Sequence, residues 1–145
     1  MKTILTTITA CVTILLMSSC NQLSQQEEEF DTLMHKIIGV HDEVMPKMSE
    51  MSTLIKELES KIDTTTTGKS HANAQQDLKD SYDFMMTWMG DFSTSFPHGE
   101  ENTFEDEEKF NSKMKILKEE EVKVNKLKEQ INSSIDNAKK LLEKS

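Results

Sequence analysis

Hydrophobic side chains recur every seven residues along most of the chain after Phe30. In the first long segment they form two rows offset by four positions, as the inward positions of packed helices do. The first row holds Phe30, Ile37, Val44, Met51 and Leu58, and the second holds Met34, His41, Met48, Ile55 and Ile62. Pro46 falls inside this segment, and because proline removes a backbone hydrogen bond, we expect a kink in the helix there.

Two further segments repeat the same period. The rows of the second segment are His71, Leu78, Met85 and Phe92, together with Gln75, Tyr82, Met89 and Phe96. The third segment would bury Phe110, Met114, Leu117, Val124, Leu127, Ile131, Ile135, Ala138 and Leu141, and its outer face is rich in lysine and glutamate. The pattern therefore predicts three amphipathic helices.

Turn-forming residues set the expected helix boundaries. A threonine-rich stretch with a glycine, 63–70, predicts the end of the first helix, and Pro97 with Gly99 predicts a loop after the second. Thr103, with Asp106 three residues later, predicts the start of the third helix in the manner of a capping box. The predicted helices span about 27–62, 71–95 and 103–143.

Short connections between long amphipathic helices favour antiparallel neighbours. We therefore predict an all-α fold, an up-down-up three-helix bundle with long coiled-coil-like helices. A parallel coiled-coil oligomer is the alternative that heptads alone do not exclude.

The N-terminal segment has the features of a leader that is removed. Lys2 precedes an apolar stretch, 4–17, that is shorter than the roughly 20 residues needed to span a bilayer. It ends in "LMSSC", which resembles the lipobox of bacterial lipoproteins, although Met17 stands where leucine is usual. The resemblance implies cleavage before Cys20, acylation of its thiol, and a membrane anchor. An ordinary secretory signal peptide is the alternative.

This interpretation divides the chain into three parts. Residues 1–19 would be the signal peptide, 20–29 the lipidated cysteine with a polar, acidic tether, and 30–145 the helical bundle. Cys11 lies in the segment to be removed, so Cys20 would be the one cysteine of the mature chain, without a partner for an internal disulfide.

The charge of the chain argues against one class of partner. The formal net charge is −9, and all 17 basic residues are lysine. An acidic surface without the bidentate guanidinium group of arginine is poorly suited to phosphate or nucleic acid. We therefore expect no nucleic-acid partner.

Methionine and histidine suggest a metal hypothesis beside the structural one. Pairing the helices about turns near 66–67 and 99–100 would bring several thioethers to one level, beside imidazoles. Thioether and imidazole ligands suit Cu(I), but heptad spacing already explains methionines in a core. The candidate ligands are His41, Met45, Met48, Met85, Met89, Met114, His35 and His98. Otherwise we expect no cofactor apart from the covalent lipid.

The second helix carries more apolar residues than one buried face needs. Phe84, Met86 and Trp88 lie off its heptad rows in "YDFMMTWMGDF". A helix that is apolar nearly all round is either central or meets a further surface. These three residues are candidates for contact with a partner or a second copy, unless the kink at Pro46 or the following loop covers them.

The stretches "HDEVMPKMSEMSTLIKELESKI" and "LKDSYDFMMTWMGDF" and the "FPH" loop resemble a group of small helical Bacteroidetes lipoproteins, often labelled viral A-type inclusion protein. The resemblance implies the same fold and a cell-envelope, outer-membrane address, on either the periplasmic or the surface face. It implies no ligand or catalytic residue. No catalytic motif stands out in the sequence. We predict a lipid-anchored, non-enzymatic interaction or structural module.

Overall fold

The computed structural model describes residues 25–99, 104 and 106–144, and within them all regular structure is helical. The helices are α1 (25–44), α2 (Lys47–Glu59), α3 (Thr66–Ser95) and α4 (Glu107–Leu142). The predicted all-α class is therefore confirmed.

The first predicted helix is two helices, α1 and α2, separated at Met45 and Pro46. The Met45 N–H still donates to the carbonyl of His41 at 2.9 Å, but Pro46 has no N–H to continue the ladder. The expected kink is thus an interruption of the helix. The predicted end at Ile62 is also wrong, because α2 ends at Glu59 and Ile62 is 39% exposed.

The threonine-rich stretch contains the start of α3. The sequence predicted only that this stretch ends the helix before it. α3 begins at Thr66, five residues before the predicted start. Thr65 is its N-cap, and the Thr65 hydroxyl accepts a hydrogen bond from the N–H of Gly68 at 3.0 Å. A β-branched hydroxyl residue is unfavourable inside a helix but favourable at its cap, which explains the difference.

Asp63 holds this turn in place through one carboxylate oxygen. Its Oδ1 accepts hydrogen bonds from the Thr65 N–H at 2.9 Å and from the Thr65 hydroxyl at 2.5 Å. These bonds favour the ionised carboxylate and lower the pKa of Asp63 below its usual range.

We expect Asp63→Asn to change how stability depends on pH. A lowered pKa stabilises the fold above the unfolded-state pKa of about 4, and this stabilisation disappears as pH falls through the lower folded-state value. The stability difference between wild type and Asp63→Asn should therefore be largest near neutral pH and shrink below about pH 4. Urea unfolding midpoints between pH 2 and 7 measure it, and a difference that stays constant over this range would contradict the assignment.

The last helix also starts later than predicted. The Asp106 side chain accepts from the Lys109 N–H at 2.8 Å and caps α4, whose first residue is Glu107. Asp106 is thus the N-cap itself, whereas the sequence placed it in the first turn of a helix capped by Thr103. Thr103 lies outside the described residues. The end at Leu142 agrees with the predicted end to within one residue.

The predicted core rows are mostly confirmed. All five members of the first row are at most 1% exposed, and eight of the nine positions of α4 are buried. The second row of each of the first two segments is less buried. Met34, His41 and Ile55 are half-buried and Ile62 is exposed, and Tyr82, Met89 and Phe96 are half-buried. The buried α3 residues that the sequence did not assign to the core are Gly68, Ala74, Ser81 and Trp88.

Contacts between helices follow two trends. Along the contact of α1 and α2 with α4, a higher residue number on one side pairs with a higher residue number on the other. The pairs are Glu29–Lys118, Lys36–Glu121, Glu43–Lys128, Lys47–Asn132 and Glu50–Lys139. Numbers on one helix fall as those on the other rise where α3 meets its neighbours, in the pairs Ile55–Gln75, Lys61–His71, Ser81–Ser134 and Ser95–Lys113. α3 contacts both α2 and α4.

Candidate functional site

A continuous chain of aromatic rings holds together the ends of α1, α3 and α4. Neighbouring ring centroids lie 5.0 to 5.9 Å apart, a range at which aromatic pairs attract one another. The rings follow one another in the order Trp88, Phe92, Phe96, Phe30, Phe104 and Phe110. Phe104 brings part of the connection between α3 and α4 into this chain.

His41 lies at the Trp88 end of the aromatic chain. Its imidazole centroid is 5.7 Å from that of Trp88, with 31° between the ring planes. Its Nδ1 is 2.9 Å from the Asp42 carboxylate, and its Nε2 is buried without a hydrogen-bond partner. With a turn centred near 66–67, the sequence predicts His41 beside Phe92. In the structure it lies against Trp88, four residues earlier on α3.

The sequence suggested Trp88 as a surface contact, but the structure buries it. It is 3% exposed, covered by His41 of α1 and by Phe92, which stacks on it at 5.0 Å. Its indole N–H is buried without a hydrogen-bond partner. Phe84 is half-buried and packs against the core, whereas Met86 is 41% exposed. Of the three proposed contact residues, Met86 is the one that the structure leaves largely open to solvent.

The predicted methionine ligands fall into different environments. Met48, Met85 and Met114 are core residues that are 8%, 0% and 4% exposed. Met45 is 38% exposed beside the interruption at Pro46, and Met89 is half-buried next to Trp88. Of these methionines, Met45 and Met89 keep some access to solvent; Met45 lies one helical turn after His41, and Met89 follows Trp88, which contacts His41.

The predicted single level of thioethers is not formed. Met85 lies one turn from Ser81, which is hydrogen-bonded to Ser134 at 3.2 Å. Met114 lies 20 positions before Ser134 on the same helix, about 30 Å along its axis. The sequence placed them side by side because it centred the second turn near 99–100, and the connection is longer than that turn allows.

The other two histidine candidates lie at the surface. His35 on α1 and His98 after α3 are both exposed. Among the described residues, no three His, Cys, Asp or Glu side chains are grouped as metal ligands. These four residue types do not include methionine, so the soft-metal hypothesis stays a prediction. Cys20 lies outside the described residues, and none of the helices in them is long and apolar enough to cross a bilayer.

Five polar side chains are buried: His71, Gln75, Ser81, Glu120 and Ser134. The heptad rows predicted inward positions for His71 and Gln75, whereas the sequence did not assign Ser81, Glu120 or Ser134 to the core. Glu120 is the most unusual. It is 3% exposed, one oxygen accepts from Lys123 at 2.7 Å, and the other oxygen is buried without a partner. Its spacing of three residues from buried Leu117 was the signal, which the run of acidic residues around it concealed.

The shifted pKa values belong to ion pairs and local hydrogen bonds. Lys128 lowers the pKa of Glu43, Glu120 raises the pKa of Lys123, and Glu50 raises that of Lys139. Each shift favours the charged form, as in a structural ion pair. A general acid or base that works near neutral pH needs a shift in the opposite direction for these residue types.

A groove of about 450 Å³ with an apolar floor lies between α2 and α3. Its lining residues are Ser52, Ile55, Lys56, Gln76, Lys79, Tyr82 and Asp83. Ile55 and Tyr82 supply the apolar part and two lysines lie at the rim. We name it the α2–α3 groove.

Comparison of the chain with family models, with curated proteins and with solved structures gives no match.

Proposed function

We propose that this chain is a lipid-anchored, non-enzymatic module of the cell envelope that holds a contact surface away from its membrane. The observation that carries the proposal is the uneven distribution of charge along the helices. The lipobox-like sequence ending at Cys20 supports the anchor, and resemblance to small helical Bacteroidetes lipoproteins supports the outer-membrane address.

The proposal includes an up-down-up arrangement in which α1 and α2 act as one interrupted helix. The rising residue pairs between α1–α2 and α4, and the opposite trend for α3, support this order. The repeating buried rows support coiled-coil-like packing. In this arrangement the 35 residues from 25 to 59 extend roughly 50 Å.

The arrangement divides the described residues into two halves of different charge. The anchor half consists of 25–44, 87–99, 104 and 106–129, and holds 14 acidic and 8 lysine side chains, a net charge of −6. The far half consists of 45–86 and 130–144, and holds 9 acidic and 8 lysine side chains, a net charge of −1. The negative charge is thus concentrated where the chain would leave the membrane.

This distribution has a physical consequence at a membrane. Anionic headgroups repel an acidic surface within about one Debye length, roughly 10 Å at moderate ionic strength. The anchor half would therefore not lie flat on the bilayer, and the far half would extend outward. The far half also contains the α2–α3 groove and the exposed side chains of Ile62 and Met86, which are candidates for a protein contact.

In-cell photocrosslinking of the full-length chain tests the proposal. A photoreactive residue at Lys56 or Met86 should capture a specific envelope protein or a second copy. The same residue at Val122, which is 69% exposed in the anchor half, should not. Equal capture from Val122, or none from Lys56 and Met86, would contradict the assigned contact.

The anchor is tested separately. Cys20→Ala should abolish incorporation of labelled palmitate and release the chain from the membrane fraction. Continued membrane association of this variant without a lipid would show that the anchor has been assigned wrongly.

A further inference from the structure

His41 is held as histidine ligands of metals are held. A carboxylate only accepts hydrogen bonds, so the Nδ1 of His41 carries the proton that it shares with Asp42 at 2.9 Å. Its Nε2 is then a lone-pair donor, and this atom is buried without a hydrogen-bond partner. An imidazole whose other nitrogen donates to a carboxylate is fixed in tautomer and orientation, as in metal sites.

The surroundings of Nε2 favour a soft cation over a hard one. The His41 side chain is 19% exposed, and the indole of Trp88 lies against its imidazole. Phe92 stacks on Trp88, with 28° between the planes. Aromatic faces attract cations but offer no oxygen ligand, and Mg²⁺ or Ca²⁺ requires oxygen.

Two thioethers that are not locked in the core belong to residues close along the chain to His41 or to Trp88, which contacts it. Met45 is one helical turn after His41, joined by the 2.9 Å bond from its N–H to the His41 carbonyl. Met89 follows Trp88 on α3 and is half-buried. Because neither side chain is fully enclosed, both can reorient toward a ligand, and Met45 leaves an approach from solvent.

We propose that His41 Nε2, together with the thioethers of Met45 and Met89, forms a site for Cu(I), which Ag(I) would also occupy. Imidazole and thioether are the ligands that soft monovalent metals prefer. The site keeps three of the eight residues that the sequence suggested. It leaves Met48, Met85 and Met114 in the core and does not depend on the proposed envelope function.

The single tryptophan makes the proposal directly measurable. Trp88 is the one Trp in the chain and contacts His41, so a metal bound at Nε2 should quench its fluorescence. The probe is Ag(I) in chloride-free buffer at neutral pH. The full chain should carry Cys11→Ser and Cys20→Ser, which removes both thiols. We expect quenching that saturates at one equivalent, and Cu(I) under anaerobic conditions should compete with Ag(I).

Ligand variants decide whether these residues hold the metal. Met45→Leu and Met89→Leu should each weaken binding at least about tenfold, the lower bound seen for outer-shell partners, and His41→Gln should weaken it further. Met86→Leu is the matched control, because Met86 lies on α3 with an exposure of 41%, close to that of Met45. Circular dichroism confirms that each variant is folded.

Asp42 is proposed as a positioning residue. Asp42→Ala should weaken binding about 10- to 100-fold, and Asp42→Asn should restore much of it, because an amide oxygen can still accept from Nδ1. The proposal is overturned if Ag(I) does not quench Trp88. It is also overturned if folded His41→Gln binds as well as the parent chain, or if Met86→Leu weakens binding as much as Met45→Leu.

Discussion

Replacing Phe30 by alanine should lower the free energy of unfolding by about 3–5 kcal/mol, the usual cost of truncating a buried phenylalanine. Phe30 is 1% exposed, and its ring contacts Phe96 at 5.9 Å and Phe104 at 5.1 Å. The loss therefore combines lost burial with a cavity where three parts of the chain meet. Because small domains are stable by only about 5–15 kcal/mol, this is a large fraction of the total.

Urea unfolding followed by circular dichroism measures this effect. Val122→Ala is the control, since Val122 is 69% exposed and should change stability by no more than about 0.5 kcal/mol. A Phe30→Ala chain that lost less than about 1 kcal/mol would mean that the cavity collapses fully or that the aromatic chain does not contribute to stability.

The second large effect concerns Gly68 in the first turn of α3. A Cβ added there would lie 1.9 Å from Asp63 Oδ1 and 2.4 Å from the Asp63 backbone nitrogen. Since one of these atoms is backbone, the turn itself would have to move, and its hydrogen bonds to Thr65 would be disturbed. We expect Gly68→Ala to destabilise the fold by about 1–3 kcal/mol, the usual cost of overpacking.

Gly90→Ala on the same helix should have the opposite sign. A Cβ at Gly90 meets nothing within 4 Å, so alanine should stabilise α3 by about 0.8–1 kcal/mol through helix propensity. Comparing the two variants by urea unfolding separates contact from propensity, because the chemical change is identical. If both variants stabilised the protein, the close contact assigned between Asp63 and Gly68 would be contradicted.

The hydrophobic period determined most of the helices and most of the core. It worked well for α4, where the apolar residues form one clear stripe between lysines and glutamates. It worked less well for α3, where Trp88 and Ser81 are as buried as the row residues. Ala74, Ser81 and Trp88 do recur every seven residues, but alanine and serine are weak hydrophobic signals beside Tyr82, Met89 and Phe96. Only packing against α1 and α4 therefore identifies the buried row.

Helix starts were less predictable than helix stripes. Threonine occurs both at helix ends and at N-caps, so the run from Thr64 to Thr67 was compatible with either role. The position of Asp63 decides between them, because its carboxylate bonds Thr65 and contacts the first turn of α3. The cap of α4 was misassigned for a similar reason, because several polar residues precede this helix and any of them could cap it. The sequence predicted Asp106 in the first turn, whereas it is the N-cap.

By itself the sequence determined the all-helical class, the hydrophobic stripes and the candidate lipid-anchor sequence, because each depends on neighbours along the chain. Only the tertiary structure decided which residues meet. The pairing of α1 with α3 differs by four residues from the pairing that a turn centred near 66–67 predicts, and this difference places His41 against Trp88 instead of Phe92. The longer connection before α4 separated Met85 from Met114. Register depends on turn geometry and packing, which seven-residue spacing does not contain.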